Sequence, residues 1–290
     1  MKKGDKFFLC SIGGCLVVGL ALITSGFLFG GVTQAKELFN DKFVLINKPY
    51  LTMSTKINDG TLVKSNTTET IPLASIKNLN INMAIGDITI KTANTNDFKI
   101  SLKGDNGLHY YEENNTLYIA GNNKNSDGEV ELILPANTTF DNATFNIDAA
   151  DLTLSELNCN TLNLAMGAGE SDIEKVDVSN NAVISIGAGE LNIKKASFND
   201  ADIELGMGEF DFKGTITGNL DLDCGMGEAS LELDDAKENH TIITDCALGA
   251  INVDGSTSVA FGNTIKEEGN SSSVYNISCG MGSVDIDFNK

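Results

Sequence analysis

From Leu79 to the C-terminus, apolar and polar residues alternate with a period of two, and glycine or asparagine interrupts the pattern about every ten residues. Alternation of this kind sends successive side chains to opposite faces of a β-strand. The spacing and the many β-branched residues exclude a helical reading. The pattern also repeats on a longer scale. GAGE stands at 167–170 and 187–190, GMGE at 206–209 and 225–228, and GMGS at 280–283. Aligning the second glycine of each phrase gives Gly86, Gly169, Gly189, Gly208, Gly227, Gly249 and Gly282, with Ala150 at the same place in IDAADLTL. From Ala150 onward the steps are 19, 20, 19, 19, 22 and 33 residues. The 64 residues from Gly86 to Ala150 leave room for three coils, divided at Gly107 and Gly128. A fixed period of this size marks a stacked repeat protein.

Two apolar columns precede and interrupt the phrase. Met83, Ile147, Met166, Ile186, Leu205, Cys224, Cys246 and Cys279 stand just before it; Ile85, Ala149, Ala168, Ala188, Met207, Met226, Leu248 and Met281 stand between the glycines. Both are expected to face inward. After the phrase the rhythm resumes one residue out of step, with Ile88, Leu152, Leu191, Phe210, Ala229, Ile251 and Val284. A flat strand cannot hold both phases inside, so the chain must bend. Glycine suits a bend because it lacks a Cβ, and the seven glycines of the column are assigned as structural corners. The predicted fold is all-β: a parallel β-solenoid whose coils, of roughly 19–22 residues, each run strand, corner, strand and turn. Successive coils are expected to stack in chain order about 4.8 Å apart. A β-sandwich would not return one residue class to one phase so often.

The opposite pattern opens the chain. Residues Phe7 to Gly31 carry no charge over 25 positions, enough as a helix to cross a bilayer. Lys2, Lys3 and Lys6 precede this run, and the next lysine is Lys36. The positive-inside rule then puts the N-terminus in the cytoplasm and the remainder outside. A cleaved signal peptide is the competing reading, although its apolar core is usually shorter. The expected organisation is a cytoplasmic tail and transmembrane anchor over 1–35, a linker or N-terminal cap over 36–78, and the solenoid over 79–290. The insertion around 256–273 can fold over the C-terminal end or hang free as a loop.

Charge narrows the partners. There are 40 acidic residues against 20 basic ones, a net charge of −20, and every basic residue is lysine. Nucleic acid and anionic headgroups are repelled by such a surface. The acids are not scattered: Asp87, Asp151, Glu170, Glu190, Glu209 and Glu228 form a column beside the corner. Stacked carboxylates repel, and Ca²⁺ held by Glu170, Glu190, Glu209 and Glu228 would relieve that. The competing reading is a solvated outer face, with Lys91, Lys194 and Lys213 as partial counter-charges. Cys224, Cys246 and Cys279 share an inward column, either as small buried hydrophobes or with a Cys224–Cys246 disulfide. His109 and His240 read as surface-loop residues. No catalytic constellation, cofactor motif or P-loop is present.

A membrane run, the Leu134-Pro135-Ala136-Asn137 turn, and strand–Gly–acid–strand units such as 81–90 and 162–173 together resemble the DUF4097 family of bacterial envelope proteins. The resemblance covers roughly 79–288 and implies a β-helical, non-catalytic surface protein of adhesin type. On this basis the chain is expected to be a single-pass cell-membrane protein with an extracytoplasmic solenoid, its partner a protein or a cell-surface polymer. An envelope-stress regulatory role is an alternative, as is a scaffold that polymerises end to end. A polysaccharide-acting enzyme is disfavoured, because an acid/base constellation is missing.

Overall fold

The computed structural model describes residues 67–72, 76–103, 108–121, 128–258 and 264–289. The anchor expected over Phe7–Gly31 and the dividing point Gly107 lie outside these residues. Among the described residues no helix is long and apolar enough to cross a membrane. The chain is all-β there, apart from a 3-10 turn at Lys237–Asn239.

Two parallel ladders meet at the corner. Strands entering it stack in the order β5 (Thr116–Gly121), the first half of β2 (Asn78–Ala93), the middle of β7 (Thr139–Leu154), β8 (Leu157–Met166), β10 (Val176–Ile186), the end of β11 (Glu190–Leu205), β13 (Leu220–Cys224), β19 (Val274–Cys279) and β15 (Thr241–Cys246). Strands leaving it stack as β6 (Glu129–Pro135), the second half of β2, the end of β7, β9 (Glu170–Ile173), the start of β11, β12 (Glu209–Ile216), β14 (Glu228–Leu233), β20 (Ser283–Phe288) and β16 (Ala250–Val253). A third, shorter ladder joins Leu157–Cys159, Val176–Val178, Ala196–Phe198 and Gly214–Ile216, set off by register shifts at Val178/Asn181 and Ile193/Ala196. The central coils therefore have three faces, where the alternation suggested two. The asparagine and lysine pairs at 180–181 and 194–195 mark the extra bends.

The rungs do not follow chain order at the ends. The last coil, β19 and β20, lies between the β13–β14 rung and the β15–β16 rung, so the penultimate coil is outermost. At the other end β5 and β6 lie outside β2, although they follow it in the chain. This corrects the expectation of sequential stacking. The outer rungs are extended by antiparallel strands. β3 (Asp97–Lys103) pairs with β6 and β1 (Thr67–Pro72) with β3, while β4 (Leu108–Glu113) pairs with β5. At the C-terminal end β18 (Thr264–Glu267) pairs with β15 and β17 (Ser256–Ser258) with β16, so the large insertion does meet that end. Two-residue turns make two of these hairpins. Asn114 and Asn115 have φ of 49° and 60°, and Asp254 and Gly255 have 49° and 71°. Positive φ at both central residues is the hairpin geometry that matches strand twist.

Inside the stack the columns before and after the corner are buried, including Met166, Ile186 and Leu205 on one side and Leu191, Phe210 and Ala229 on the other. Ser171 occupies one of these inward places, fully buried, with no partner for its Oγ.

Candidate functional site

The corner differs from expectation in one row. The residues between the glycines point outward: Met207 is 62% exposed, Met226 46%, Met281 48% and Leu248 68%. Ala149, Ala168 and Ala188 are exposed in the same row. The cause lies in how the ladder passes the corner. The carbonyl of the second glycine accepts the amide N–H of the acidic residue one rung on: the Glu190 amide donates to Gly169 at 2.9 Å, Glu209 to Gly189 at 3.0 Å and Glu228 to Gly208 at 3.0 Å. This draws the corner backbones together. A Cβ on Gly189 would sit 2.6 Å from the Gly169 oxygen, and one on Gly208 would collide with that of Gly189. The second glycine thus fills the tight place, and the residue before it is turned to the convex side. In β2 and β7 the strand instead runs unbroken past Gly86 and Ala150.

Beside this apolar ridge runs the acidic row. Glu129, Asp87 and Asp151 are in register, followed by Glu170, Glu190, Glu209 and Glu228. Asp151 accepts the Glu170 amide at 2.8 Å and links the two groups. The row ends at Ser283 and Ala250, where the ridge continues as Met281 and Leu248. Ridge and row line an open groove of about 810 Å³ from Gly169 to Ser283. The lysines counted as neighbouring counter-charges are engaged elsewhere. Lys91 pairs with Glu131 at 2.9 Å, Lys194 with Glu174 at 2.5 Å and Lys213 with Glu232 at 2.6 Å. The carboxylates of Glu170, Glu190, Glu209 and Glu228 have no ion pair or hydrogen bond among the described residues. Repulsion shows at the centre: Glu209, chiefly, together with burial and Glu170, pushes the Glu190 carboxyl above its ordinary value. Among the described residues no group of three or more His, Cys, Asp and Glu side chains is arranged to hold a metal ion.

The cysteine column is present, but its order corrects the proposed pair. Cys279 is in register with both Cys224 and Cys246 and so lies between them. All three thiols, and Cys159, are buried and unbridged. The hydrogen bond between Cys224 and Cys279 pushes the Cys224 thiol up and pulls the Cys279 thiol down. Burial alone pushes Cys159 up to about 12.

Both histidines are buried, each 3% exposed, which overturns their reading as loop residues. His240 stacks on Tyr275, with ring centroids 4.1 Å apart. Its Nδ1 is 2.8 Å from Ser273 Oγ and its Nε2 is 3.1 Å from Asp235 Oδ2. The set has the composition of a catalytic triad, but Ser273 Oγ also lies within hydrogen-bond reach of the Gly218 carbonyl, and both Ser273 and the imidazole are buried. Burial pushes the Asp235 carboxyl up, but hydrogen bonds from the Ala236 amide, Asn239 and His240 outweigh it and hold it low. The cluster ties the 3-10 turn to the inserted last coil.

Among solved structures, a candidate adhesin from Parabacteroides distasonis is 14% identical over 79% of this chain and 98% of its own, at a TM-score of 0.42. A candidate adhesin from Bacteroides fragilis is 13% identical over 79% of this chain and 99% of its own, at 0.34. A candidate cell adhesion protein from Clostridium sporogenes is 17% identical over 78% and 99%, at 0.32. No curated protein matches the chain. The family model described as Toastrack DUF4097 matches residues 63–287, the whole region that carries the strand–Gly–acid–strand units. The chain belongs to the DUF4097, or Toastrack, family.

Proposed function

We propose that this protein is a membrane-anchored, extracytoplasmic interaction module of adhesin type, and that the corner face is where it meets its partner. The observation that carries this reading is the ridge of Met207, Met226, Met281 and Leu248. A chain of net charge −20 holds four large apolar side chains in one row, 46–68% exposed. Contiguous exposed apolar surface rimmed by polar groups is the usual mark of an interaction site. Methionine suits such a surface because its unbranched thioether adapts to different contours.

The uncharged run at 7–31 and the lysines before it support the anchor and its orientation. The groove supports a non-catalytic role. Its titratable side chains are carboxylates alone, with neither a histidine nor a lysine beside them to complete an acid/base pair. The decisive measurement is retention of the labelled full-length chain on bacterial cells and isolated cell walls. The M207Q/M226Q/M281Q variant is expected to lose retention by roughly tenfold or more. Retention equal to wild type would remove the corner face from the function.

A further inference from the structure

We propose that the corner groove docks a cationic amphipathic α-helix, laid along the stack across the rungs. This rests on the reading of the corner face as the partner-binding face and names the class of partner. Three features of the face select it. The first is composition in parallel rows: thioether and alkyl groups in one, unpaired carboxylates in the other, two positions apart on every rung from Gly189 to Gly227. A ligand that matches both rows presents an apolar stripe with positive charge along one flank. A basic amphipathic helix has that form, and helix-in-groove recognition uses it. An anionic bilayer would face the carboxylates unfavourably.

The second feature is spacing. Adjacent rungs are about 4.8 Å apart, and same-face neighbours of an extended strand about 6.8 Å. Across the three steps from Met207 to Leu248 an extended ligand drifts about 6 Å, more than a rung. Side chains at i and i+3 or i+4 of a helix are about 5–6 Å apart, so the drift stays below one rung. The third feature is polarity. The row ends at Ser283 and Ala250 while the ridge continues through Met281 and Leu248. Towards the other end the ridge shrinks to Ala188 and Ala168 while the carboxylates continue. The helix is therefore held in one direction, bulky apolar residues over Met281 and Leu248, lysine or arginine over Glu170 and Glu190.

The test is fluorescence anisotropy of a labelled Leu/Lys peptide with helical amphipathic spacing, titrated into the purified full-length chain. Saturable binding is expected. It should weaken about tenfold or more when NaCl is raised from about 0.05 M to about 0.5 M. M207Q/M226Q/M281Q and E190Q/E209Q/E228Q should each weaken it to a similar degree, with unchanged unfolding midpoints establishing that both variants fold. E190K/E209K/E228K should release the Leu/Lys peptide and take up its Leu/Glu counterpart. Equal binding of a scrambled peptide of the same composition, or of oligolysine, overturns the proposal. So does uptake of zwitterionic vesicles that the methionine variant loses, which would make the ridge a lipid face. If no peptide binds but the methionine variant still loses cell retention, the helix assignment falls and the docking face stands. If neither peptide binding nor retention depends on the ridge, both fall.

Discussion

A single hydroxyl shows how much one position weighs in this stack. Ser171 sits in register with Leu152 on one side and Leu191 on the other, with its Oγ unsatisfied. A buried polar group without a partner costs about 1–3 kcal/mol. Ser171→Ala removes the group and is expected to stabilise the fold by about 1 kcal/mol, with the midpoint in a thermal scan rising by about 2–4 °C. A fall in the midpoint would mean that the hydroxyl has a stabilising role. Residue identity alone was a partial guide at this scale. Met166, Ile186 and Leu191 were legible as core because strict alternation leaves them no other side. Met207 was misread because hydrophobicity does not say which side of a corner a residue takes. Between Leu205 and Phe210 the phase slips once, and the composition allows the slip on either side of Met207. The variation from alanine to methionine along that row was the available hint, since a packed column tolerates such volume changes poorly.

At the scale of the coil, the corner glycines act through close approach more than through dihedral freedom. Of the seven, only Gly86 and Gly169 have positive φ, at 121° and 126°. Gly208→Ala would drive a Cβ into the Gly189 carbonyl, which is ladder backbone and cannot move aside. A loss of about 3 kcal/mol or more is expected by urea unfolding. Gly255→Ala is the control: nothing lies within 4 Å of its Cβ, and only its φ of 71° opposes the change. That costs about 1–2 kcal/mol. Equal losses at the two sites would mean that the ladder yields to the added Cβ and that close approach does not set the cost at Gly208. Strand existence and the parallel stack were readable from the repeat. The third face was not, because bends at 180–181 and 194–195 shift register without an invariant phrase. The end hairpins did leave a local trace in Asn114-Asn115 and Asp254-Gly255, the residues that such tight turns demand.

Across the whole molecule, unbalanced charge sets the response to solution conditions. Seven carboxylates stand on successive rungs of a chain of net charge −20. The Glu190 carboxyl is raised in the fold, mainly by Glu209, so the folded chain binds this proton more tightly than the unfolded one. Its contribution to stability is complete below the ordinary carboxylate range and is lost as pH rises through the raised value. Glu131, held low by Lys91, works in the opposite sense, and its contribution is lost only as pH falls through its lowered value. Between these limits, lowering pH from about 7 to about 5 is expected to raise the unfolding midpoint, as is added salt at pH 7. Glu190→Gln should raise the midpoint at pH 7 and flatten both dependences in calorimetry. A midpoint that falls with salt would show that the surface ion pairs outweigh the row, against their usual small worth.

The displaced last coil makes this array unlike a chain of beads that can be shortened from its end. In an ordinary tandem array, losing the final repeat removes only the terminal rung. Here residues 274–288 are an internal rung, and the coil at 241–253 has no parallel neighbour until they arrive. During synthesis the growing chain must hold that coil in reserve until residues 274–288 pair beneath it. A polypeptide that stops near Ser273 forfeits two rungs together and leaves the β13–β14 edge bare. Residues 274–288 thus join two rungs at once, and the stack on either side of them depends on the same short segment.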